Sequence, residues 1–289
     1  MTVSDDDLDA DDPIGDDDDH DADEGGDDDA LAHPERDVRM SFVEHLEELR
    51  TRLIRAMYGL IPAFIAAWFF KERIVDVIAR PLVVAYHDLH LGQVSLHALG
   101  LVDPVAEYLK LCFLVSLLGS SPWIFWQLWA FIAPGLYAKE KKIAIPFVLF
   151  STICFLGGAA FGYFVVFPMG FETLLGFSGS LPSGHVKIVP TLTFGEYLDF
   201  TAQLSVAFGA VFEVPVVITF LAMIGVINWR QLMRFSRWWI VIAAIASAVL
   251  TPSTDVGTQL AMLIPLIVLY YVGVLLAFLF GKRPKPAAT

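Results

Sequence analysis

Long apolar stretches with almost no charge constrain this chain more than any other feature of its sequence. A helix that crosses the roughly 30 Å hydrocarbon core of a bilayer needs about 20 predominantly apolar residues. Five stretches reach this length, at about 53–70, 109–133, 143–168, 200–227 and 258–280. A sixth, at about 238–250, would cover only about 20 Å as a helix, which fits either a re-entrant segment or a span in a locally thinned bilayer. We predict six spans, because an even number places both termini on one side.

The basic residues indicate which side that is. With the N-terminus in the cytoplasm, the inner segments carry fourteen Lys and Arg residues and the outer segments carry five, which are Lys71, Arg73, Arg80, Lys110 and Lys187. Cytoplasmic loops of membrane proteins carry an excess of basic residues. The sequence therefore predicts a multi-pass protein of the cell membrane with both termini in the cytoplasm.

Prolines fall within most of the predicted spans, at positions 62, 122, 146, 215 and 265. Such prolines bend a membrane helix without destroying it, because neighbouring groups satisfy the carbonyls that they leave free. We therefore expect an all-α polytopic fold whose six bent transmembrane helices form a curved, concave wall. The predicted membrane domain covers residues 38–283, and a short cytoplasmic tail follows at 284–289.

The N-terminal segment 1–37 differs sharply from the rest of the chain. It holds 18 of the 32 acidic residues and one basic residue, Arg36, whereas the remaining residues carry a net charge of +4. A segment so acidic and so poor in apolar residues is expected to be a disordered, solvated tail, and it lacks the apolar core of a secretory signal peptide. A calcium loop is the alternative, but no EF-hand spacing occurs. An Asp-rich tail would suit a cell with a salt-rich interior, such as a halophilic archaeon.

A group of carboxylates lies just before the first span. Phe42, Leu46, Leu49 and Leu53 recur at helical spacing, which predicts an amphipathic helix on the inner membrane surface. Its polar face carries Glu44 and Glu48, and Glu48 is placed to pair with Arg52 four residues later. An ordinary interfacial helix with ion pairs is one interpretation, and an acidic patch that binds a cationic peptide is the other.

Of two further carboxylates, one lies among lysines and the other among apolar residues. Glu140 lies within Lys139-Glu140-Lys141-Lys142 and is consistent with an ordinary surface ion pair. Glu213 lies in the middle of the fourth apolar stretch, where a carboxylate is energetically costly and indicates a function or a buried partner. The carboxyl could be protonated, or paired with a hydroxyl or amide such as Gln127, Thr201 or Gln203. It could form a polar contact between helices, or act as a proton relay or a polar site for a crossing substrate.

Other residues indicate little chemistry. His87, His90 and His97 share an outer loop but lack the cysteines or rigid frame of a typical metal site. Cys112 and Cys154 lie in apolar stretches, as small buried side chains do. Asp255 is placed to cap the last span. The sequence contains no common hydrolase, metalloprotease or nucleotide-binding motif, so we predict neither enzymatic activity nor a cofactor.

Five sequence motifs occur in the order found in one family of membrane proteins. They are HLEELRTRL at 45–53, SSPWIFWQLWAFIAPGLYAKEKK at 120–142, AFGYFVVFP at 160–168, AFGAVFEVPVVI at 207–218 and LTPSTDVGTQ at 250–259. The sequence resembles the TatC family, the receptor and core subunit of the twin-arginine protein translocase. The resemblance covers residues 41–280 and excludes the acidic tail. It implies export of folded proteins across the cytoplasmic membrane, driven by the proton-motive force.

The resemblance also implies roles for particular residues. Glu48 and Glu140 match the glutamates that bind the twin arginines of signal peptides, and Arg50 matches a neighbouring family arginine. Phe131 and Pro134 match positions that shape the same pocket. A planar guanidinium donates paired hydrogen bonds to a carboxylate, which the ammonium group of lysine cannot do.

Outside this pocket, Glu213 matches an intramembrane polar residue that faces the docking surface of the small TatA and TatB subunits, and Gln127 is placed to share that role. Pro81 and Asp255 match structural positions on the outer side. The expected partners are signal peptides of folded cargo, TatA-type and TatB-type single-span subunits, further copies of the chain and the lipid bilayer, with no nucleic acid. The alternatives are a proton-coupled small-solute transporter that uses Glu213 and an intramembrane enzyme.

Overall fold

The structure is a computed structural model that describes residues 42–132, 144–176, 179–180, 187–188, 191–250 and 256–282. Ten α-helices lie within them: α1 (Phe42–Phe69), α2 (Lys71–Asp88), α3 (Asp103–Gly119), α4 (Ser121–Ile132), α5 (Ala144–Phe161), α6 (Phe167–Gly176), α7 (Phe194–Phe212), α8 (Val214–Ile224), α9 (Trp229–Leu250) and α10 (Val256–Phe280). A π-helical segment, Gly162–Val166, joins α5 to α6. The acidic tail at 1–37 and the C-terminal tail at 284–289 lie outside the described residues.

The helices of the described residues account for the predicted spans. Five helical stretches are long and apolar enough to cross a membrane, and a sixth qualifies if the bent pair α3 and α4 is one span. These two helices meet at an angle of 57°. The predicted class of an all-helical polytopic membrane protein is confirmed, whereas the curvature of the wall stays a prediction.

The span predicted to be short is not short. Helix α9 begins at Trp229, nine residues before the apolar stretch, and runs for 22 residues. At 1.5 Å per residue it is about 33 Å long, enough to cross the hydrocarbon core. The sequence interpretation stopped at the arginines of its first turns, which extend the helix beyond the apolar region. Neither a re-entrant segment nor a thinned bilayer is needed.

The amphipathic segment before the first span is also different from the prediction. It is not a separate helix on the membrane surface, because α1 continues through it for 28 residues without a break. No glycine or proline interrupts the sequence from Phe42 to Tyr58, so nothing ends the helix at the membrane surface. The carboxylates near its start are therefore carried on the same rigid helix that crosses the membrane.

Where α3 meets α4, a proline and three serines explain the bend. Pro122 has no amide hydrogen to donate to the carbonyl of Leu118, four residues earlier. The hydroxyl of Ser121 donates to this carbonyl instead, over 2.7 Å. Ser120 likewise donates to the carbonyl of Ser116 over 2.6 Å. The expectation that neighbouring groups satisfy freed carbonyls is confirmed at this proline.

The other prolines differ in position. Pro62 and Pro265 lie inside α1 and α10. Pro146 and Pro215 lie near the first residues of α5 and α8, where an amide hydrogen has no helical acceptor. Pro215 therefore marks a break within the fourth span, and Glu213 is the single residue between α7 and α8.

Short strands occur in the two long connections between spans, and one pair joins them. Strand β1 (Leu96–His97) pairs in parallel with β4 (Leu192–Thr193), and β2 (Gly179–Ser180) pairs antiparallel with β3 (Lys187–Ile188). Helix α7 starts directly after β4 with a capping box, in which the Thr193 hydroxyl accepts from the amide of Glu196. The cap fixes the point at which the outer loop becomes a span.

Near the first residues of α7, an ion cluster joins α3 to α7. Lys110 Nζ lies 2.9 Å from Glu107 Oε1 and 2.9 Å from Asp199 Oδ1. Glu107 is buried, so its charge needs this partner. The lysine therefore holds together two carboxylates of different helices, near the first residues of α7 and within the first turns of α3.

Below the ion cluster, α5 and α7 pack closely because of small residues. A β-carbon at Gly158 would overlap the backbone carbonyl of Phe208 on α7. A β-carbon at the adjacent Gly157 would meet nothing within 4 Å. Small residues allow membrane helices to approach at backbone distance, where dispersion contacts are strongest.

This packing gives a test with a matched control. We expect Gly158→Leu to lower the free energy of unfolding by about 1–3 kcal/mol, because the side chain overlaps the α7 backbone. Gly157→Leu, one residue earlier on the same helix, should change it by less than about 0.5 kcal/mol. Thermal unfolding of the purified proteins in one detergent measures both. Equal destabilisation by the two substitutions would contradict the assigned packing face.

Candidate functional site

The first candidate group lies at the start of α1. Glu48 Oε1 accepts from Arg52 Nη2 over 3.2 Å and from Arg52 Nε over 3.4 Å. The two side chains are largely withdrawn from solvent, with 18% of Glu48 and 25% of Arg52 exposed. The pairing predicted from their spacing is confirmed. The second carboxylate oxygen, Oε2, is buried and has no hydrogen-bond partner among the described residues.

A small cavity lies beside this ion pair, between α1 and α4. It has a volume of 120 Å³. Its walls are formed by Leu49, Arg52, Leu53, Ala56, Ile124, Gln127, Leu128 and Phe131. The ring of Phe131 stacks on His45, with 4.4 Å between centroids and 20° between planes. The structure thus brings Glu48, Arg52, His45 and Phe131 together at one end of the α1–α4 pair.

Two contacts fix α4 against α1. The indole Nε1 of Trp123 donates to the carbonyl of Arg55 over 2.8 Å. Gly59 makes room for the same indole, since a β-carbon there would lie 2.2 Å from the Trp123 ring. The register of the two helices, and hence the position of Phe131 opposite His45, depends on this small-to-large fit.

Chemically, the arrangement suits a cation with several donors. A carboxylate oxygen without a partner has a strong tendency to accept a charge-assisted hydrogen bond. The stacked rings of His45 and Phe131 offer a flat surface beside it, and the cavity accommodates aliphatic carbon. A guanidinium group on a short alkyl chain has these properties.

Several of the predicted site residues lie elsewhere. Arg50 is exposed on α1. Glu140, Pro134 and Asp255 lie outside the described residues. His45 and Arg52 were not predicted as site residues, although His45 is the first residue of the HLEELR motif, and its position four residues from Leu49 on one helix face was a usable signal.

Gln127 forms part of the wall of the cavity between α1 and α4. It is buried, with 4% of the residue exposed, and its Oε1 has no hydrogen-bond partner among the described residues. A buried amide oxygen without a donor is costly, so the site favours a ligand or partner that supplies one. Gln127 thus belongs to the α1–α4 cavity.

Glu213 belongs to a different group, at the break between α7 and α8. Its side chain lies close to the Ser151 hydroxyl of α5. Ser151 Oγ in turn accepts from the indole Nε1 of Trp129 on α4 over 3.0 Å. Glu213 Oε1 is buried and has no hydrogen-bond partner among the described residues. Four helices therefore meet around this carboxylate.

The group next to Glu213 is a hydroxyl, as one of the expectations had it, but it belongs to Ser151. None of Gln127, Thr201 and Gln203 forms a hydrogen bond with Glu213 in the described part of the chain. Spacing within one span could not reveal Ser151, because this contact joins residues 62 positions apart in the sequence. The presence of a serine in an otherwise apolar stretch was the available signal.

Two tyrosine hydroxyls donate to backbone carbonyls of α2, and Pro81 explains one of these contacts. Pro81 lies inside α2 and has no amide hydrogen for the carbonyl of Val77. The hydroxyl of Tyr163 donates to this carbonyl, and the hydroxyl of Tyr197 donates to the next one, Ile78. Pro81 thereby frees the Val77 carbonyl, which connects α2 to the π-helical segment, and the Tyr197 contact connects α2 to α7.

The described residues contain no group of three His, Cys, Asp or Glu side chains that could hold a metal ion. His87, His90 and His97 therefore do not form such a group. Cys112 and Cys154 are both free thiols.

Comparisons with known proteins identify the family. The model of the Sec-independent protein translocase protein (TatC) family matches residues 44–265, most of the chain. The chain belongs to the TatC family. It is 39% identical over 242 residues to the TatC of Desulforapulum autotrophicum, covering 84% of this chain and 86% of that one. It is 35% identical over 246 residues to the TatC of Aquifex aeolicus, covering 85% and 98%.

Solved structures agree with the TatC assignment. Two crystal structures of the twin-arginine translocase receptor TatC, one of them in DDM, superpose with TM-scores of 0.69 and 0.70, both at 36% identity. They cover 82% and 83% of this chain and 99% and 100% of their own. The predicted family, fold class and translocase function are confirmed.

Membership in the TatC family also decides between the alternatives. The family is a transport protein and not an enzyme, so an intramembrane enzyme is excluded. It is a subunit of a protein translocase, which argues against a small-solute transporter. The halophilic archaeal source suggested by the acidic tail gains no support from these relatives.

The contact between Tyr163 and Pro81 is testable by a double-mutant cycle. We expect Tyr163→Phe to lower the free energy of unfolding by about 1 kcal/mol, because the Val77 carbonyl loses its donor. In a Pro81→Ala background the new amide at position 81 donates to Val77, so Tyr163→Phe should cost much less. Thermal unfolding in detergent measures each corner of the cycle.

Tyr58→Phe is the control for this cycle, because Tyr58 is exposed on α1. It should leave the free energy of unfolding within about 0.5 kcal/mol of the parent protein. An equal cost of Tyr163→Phe in both backgrounds would show that the hydroxyl does not compensate for the proline.

Proposed function

We propose that this chain binds twin-arginine signal peptides at the inner membrane surface, through Glu48 and Glu140, with Arg50, Phe131 and Pro134 shaping the pocket. In this proposal it is the receptor for folded cargo proteins that cross the cytoplasmic membrane, driven by the proton-motive force. The observation that carries the proposal is the buried Oε2 of Glu48, which has no hydrogen-bond partner among the described residues.

The geometry of Glu48 supports a guanidinium as the ligand. Arg52 already occupies Oε1, so an incoming cation would bind at Oε2 without breaking the existing pair. A guanidinium presents donors in a rigid fork and carries little hydration, whereas an ammonium is compact and strongly hydrated. Transfer into a site largely withdrawn from solvent therefore favours arginine over lysine.

Aromatic stacking supports the same ligand. Phe131 is partly exposed and lies parallel to His45. Guanidinium groups stack on aromatic faces, and such contacts are worth about 0.5–1 kcal/mol at exposed sites. One arginine of the signal would then bond to Glu48 and the other would be held by Glu140, which follows Phe131 by nine positions.

The orientation of the chain is part of the proposal. The exposed arginines of α9, at positions 230, 234 and 237, lie one after another on a single helical face. An even number of spans separates them from the start of α1, so both lie on one side of the membrane if α3 and α4 are one span. The positive-inside rule places this side in the cytoplasm, together with both termini.

Photocrosslinking of signal peptides tests the receptor site. Peptides with Arg-Arg or Lys-Lys and a photoreactive group are added to the purified protein and to the double variant Glu48→Ala/Glu140→Ala. We expect labelling by the Arg-Arg peptide to fall at least about tenfold in the double variant, because truncating one partner of a buried charge pair costs about 2–5 kcal/mol. The Lys-Lys peptide should label both proteins weakly.

Glu47→Ala is the matched control, since Glu47 is an exposed carboxylate adjacent to Glu48 on the same helix. It should leave labelling by the Arg-Arg peptide unchanged. Equal labelling in every combination of peptide and protein would exclude this site as the receptor for the twin arginines.

The second part of the proposal concerns partner subunits. We propose that TatA-type and TatB-type single-span subunits dock near Glu213 and Gln127, and that copies of the chain self-associate. Both side chains have a buried oxygen without a hydrogen-bond partner among the described residues. A polar side chain on an entering helix would supply the missing donor, and interhelical hydrogen bonds in membranes contribute about 0.6–2 kcal/mol each.

Disulfide crosslinking between α8 and a partner helix tests this docking. We expect Glu213→Ala to reduce crosslinking about threefold or more and to reduce export, because the partner loses its acceptor. Gln203→Ala, an exposed polar residue in the same span, is the control and should change neither. Unchanged crosslinking and export in Glu213→Ala would rule out a docking role for this carboxylate.

A further inference from the structure

A groove much larger than the α1–α4 cavity lies on another part of the protein. It has a volume of 510 Å³ and is lined by residues of α2, α3, α5, the π-helical segment, α6 and α7. Nearly all of the lining is apolar, and it includes Val77, Leu114, Leu118 and Phe164. No residue of the proposed signal-peptide site or of the Glu213 group takes part in it.

The groove opens towards the surroundings of the protein. Phe164 is 73% exposed and Val77 is 45% exposed, so these side chains mark its mouth. Four of the lining helices, α3, α5, α6 and α7, belong to stretches long and apolar enough to span a membrane, α3 as part of its bent pair with α4. Within a bilayer, an open apolar groove on spans faces lipid hydrocarbon and not water.

One end of the groove lies at the level of the membrane surface. The first span ends at Phe69, and two residues later Lys71 Nζ lies 5.0 Å from the ring centroid of Trp68 and 5.9 Å from that of Tyr108. Tryptophan, tyrosine and lysine are typical anchors at the headgroup region. Arg73, which lines the groove, follows Lys71 by two residues.

A second arginine lies on the same face of α2. Arg73, Val77 and Arg80 are separated by four and three residues, which places them in one row along the helix. Both arginines are exposed. Glu72 and Asp76 lie close in sequence, but neither forms an ion pair within 4 Å with Arg73 or Arg80 in the described part of the chain.

Two other polar groups near Arg73 are already engaged. The hydroxyl of Tyr163, which also lines the groove, donates to the Val77 carbonyl, and Lys71 lies over aromatic rings. Arg73 lines the groove, and Arg80 lies two turns further along the same row of α2. An apolar groove beside two such cations is complementary to an amphiphile with an anionic head.

The size of the groove distinguishes between occupants. One turn of an α-helix, about 10 Å wide and 5.4 Å long, fills roughly 400 Å³, so the groove holds little more than a single helical turn. A spanning helix would leave most of its length outside. An acyl chain is thin and flexible, and it follows a narrow groove along its whole length.

We propose that this groove binds an acyl chain of an anionic phospholipid, with the headgroup phosphate held by Arg73 and Arg80. Arginine suits this role because its guanidinium donates paired hydrogen bonds to phosphate oxygens. The lipid would fill the space between α2 and the spans beneath it, and so become a structural part of the outer side.

The probe for this proposal is a phospholipid with a photoreactive diazirine on one acyl chain. The full-length protein is reconstituted in phosphatidylcholine nanodiscs that contain a trace of diazirine-labelled phosphatidylglycerol or diazirine-labelled phosphatidylcholine. After illumination, labelled peptides are identified by mass spectrometry. We expect phosphatidylglycerol to label the lining of the groove more strongly than phosphatidylcholine does.

Two kinds of substitution distinguish the binding of the headgroup from the binding of the acyl chain. Arg73→Gln/Arg80→Gln should reduce groove labelling by phosphatidylglycerol about fivefold or more, because each basic residue near an anionic headgroup contributes roughly a factor of five in affinity. The same double substitution should leave labelling by phosphatidylcholine unchanged. Ala160→Trp, at an exposed position that lines the groove, should abolish labelling by both lipids because the indole fills the space.

Each substitution has a matched control elsewhere on the protein. Arg234→Gln removes an exposed arginine from α9, and Leu275→Trp adds an indole to an exposed position on α10. Neither should change groove labelling. Size-exclusion profiles and thermal unfolding are compared first, and the preference of the unmodified protein for phosphatidylglycerol tests the proposal even if a variant fails to fold.

Three results would overturn the proposal. Even labelling of all lipid-facing helices would show ordinary annular lipid. Equal groove labelling by both lipids would show that the groove does not select an anionic headgroup. Loss of lipid labelling when an apolar helical peptide is added, with the peptide crosslinked to the groove instead, would assign the groove to a peptide.

Discussion

Every backbone carbonyl in a membrane span needs a donor from within the protein, and this requirement explains much of the architecture. Prolines remove such donors, and at two of them, Pro122 in a span and Pro81 in the neighbouring helix α2, a side-chain hydroxyl supplies the replacement. At Pro122 the donor is local, since Ser121 bonds to the carbonyl of Leu118 and the chain bends by 57°. At Pro81 the donor is distant, since Tyr163 reaches the carbonyl of Val77 from the π-helical segment. The first proline therefore shapes a span, and the second joins α2 to the spans beneath it.

The same requirement gives the unsatisfied polar atoms their significance. Five side chains keep a buried oxygen without a hydrogen-bond partner among the described residues, and three of them, Glu48, Gln127 and Glu213, are predicted site residues. Such atoms reduce the stability of the isolated subunit, and a partner that brings a donor recovers this free energy on binding. The three side chains form two separate groups, one between α1 and α4 and one where α4, α5, α7 and α8 meet. Glu48 belongs to the proposed peptide site, whereas Glu213 and Gln127 are the proposed contacts for partner helices.

The sequence predicted the spans and the ion pair of Glu48 with Arg52 correctly, because both depend on spacing along a single helix. It underestimated α9, since Arg230, Arg234 and Arg237 mark the edge of the apolar region but not the end of the helix. It separated the amphipathic segment from the first span for the same reason, as apolar content stops where the lipid stops and the hydrogen-bonded backbone continues. It missed Ser151 as the neighbour of Glu213, because a contact between α5 and the α7–α8 break depends on packing that periodicity does not contain. The roles of Glu140, Pro134 and Asp255 stay predictions.

Because α1 is continuous, the depth of Glu48 along the membrane normal and the direction in which its side chain leaves the helix are set together. About 21 residues separate Glu48 from the end of the helix at Phe69, which corresponds to roughly 32 Å, close to the thickness of the hydrocarbon core. Glu48 is therefore held at a set depth by a rigid rod whose far end is anchored at Trp68 and Lys71. Each residue added to or removed from the rod would shift the carboxylate by 1.5 Å and turn it by about 100°. The number of residues between Glu48 and Phe69 thus decides whether the carboxylate faces Phe131. This part of α1 is constrained in its length as well as in its apolar character.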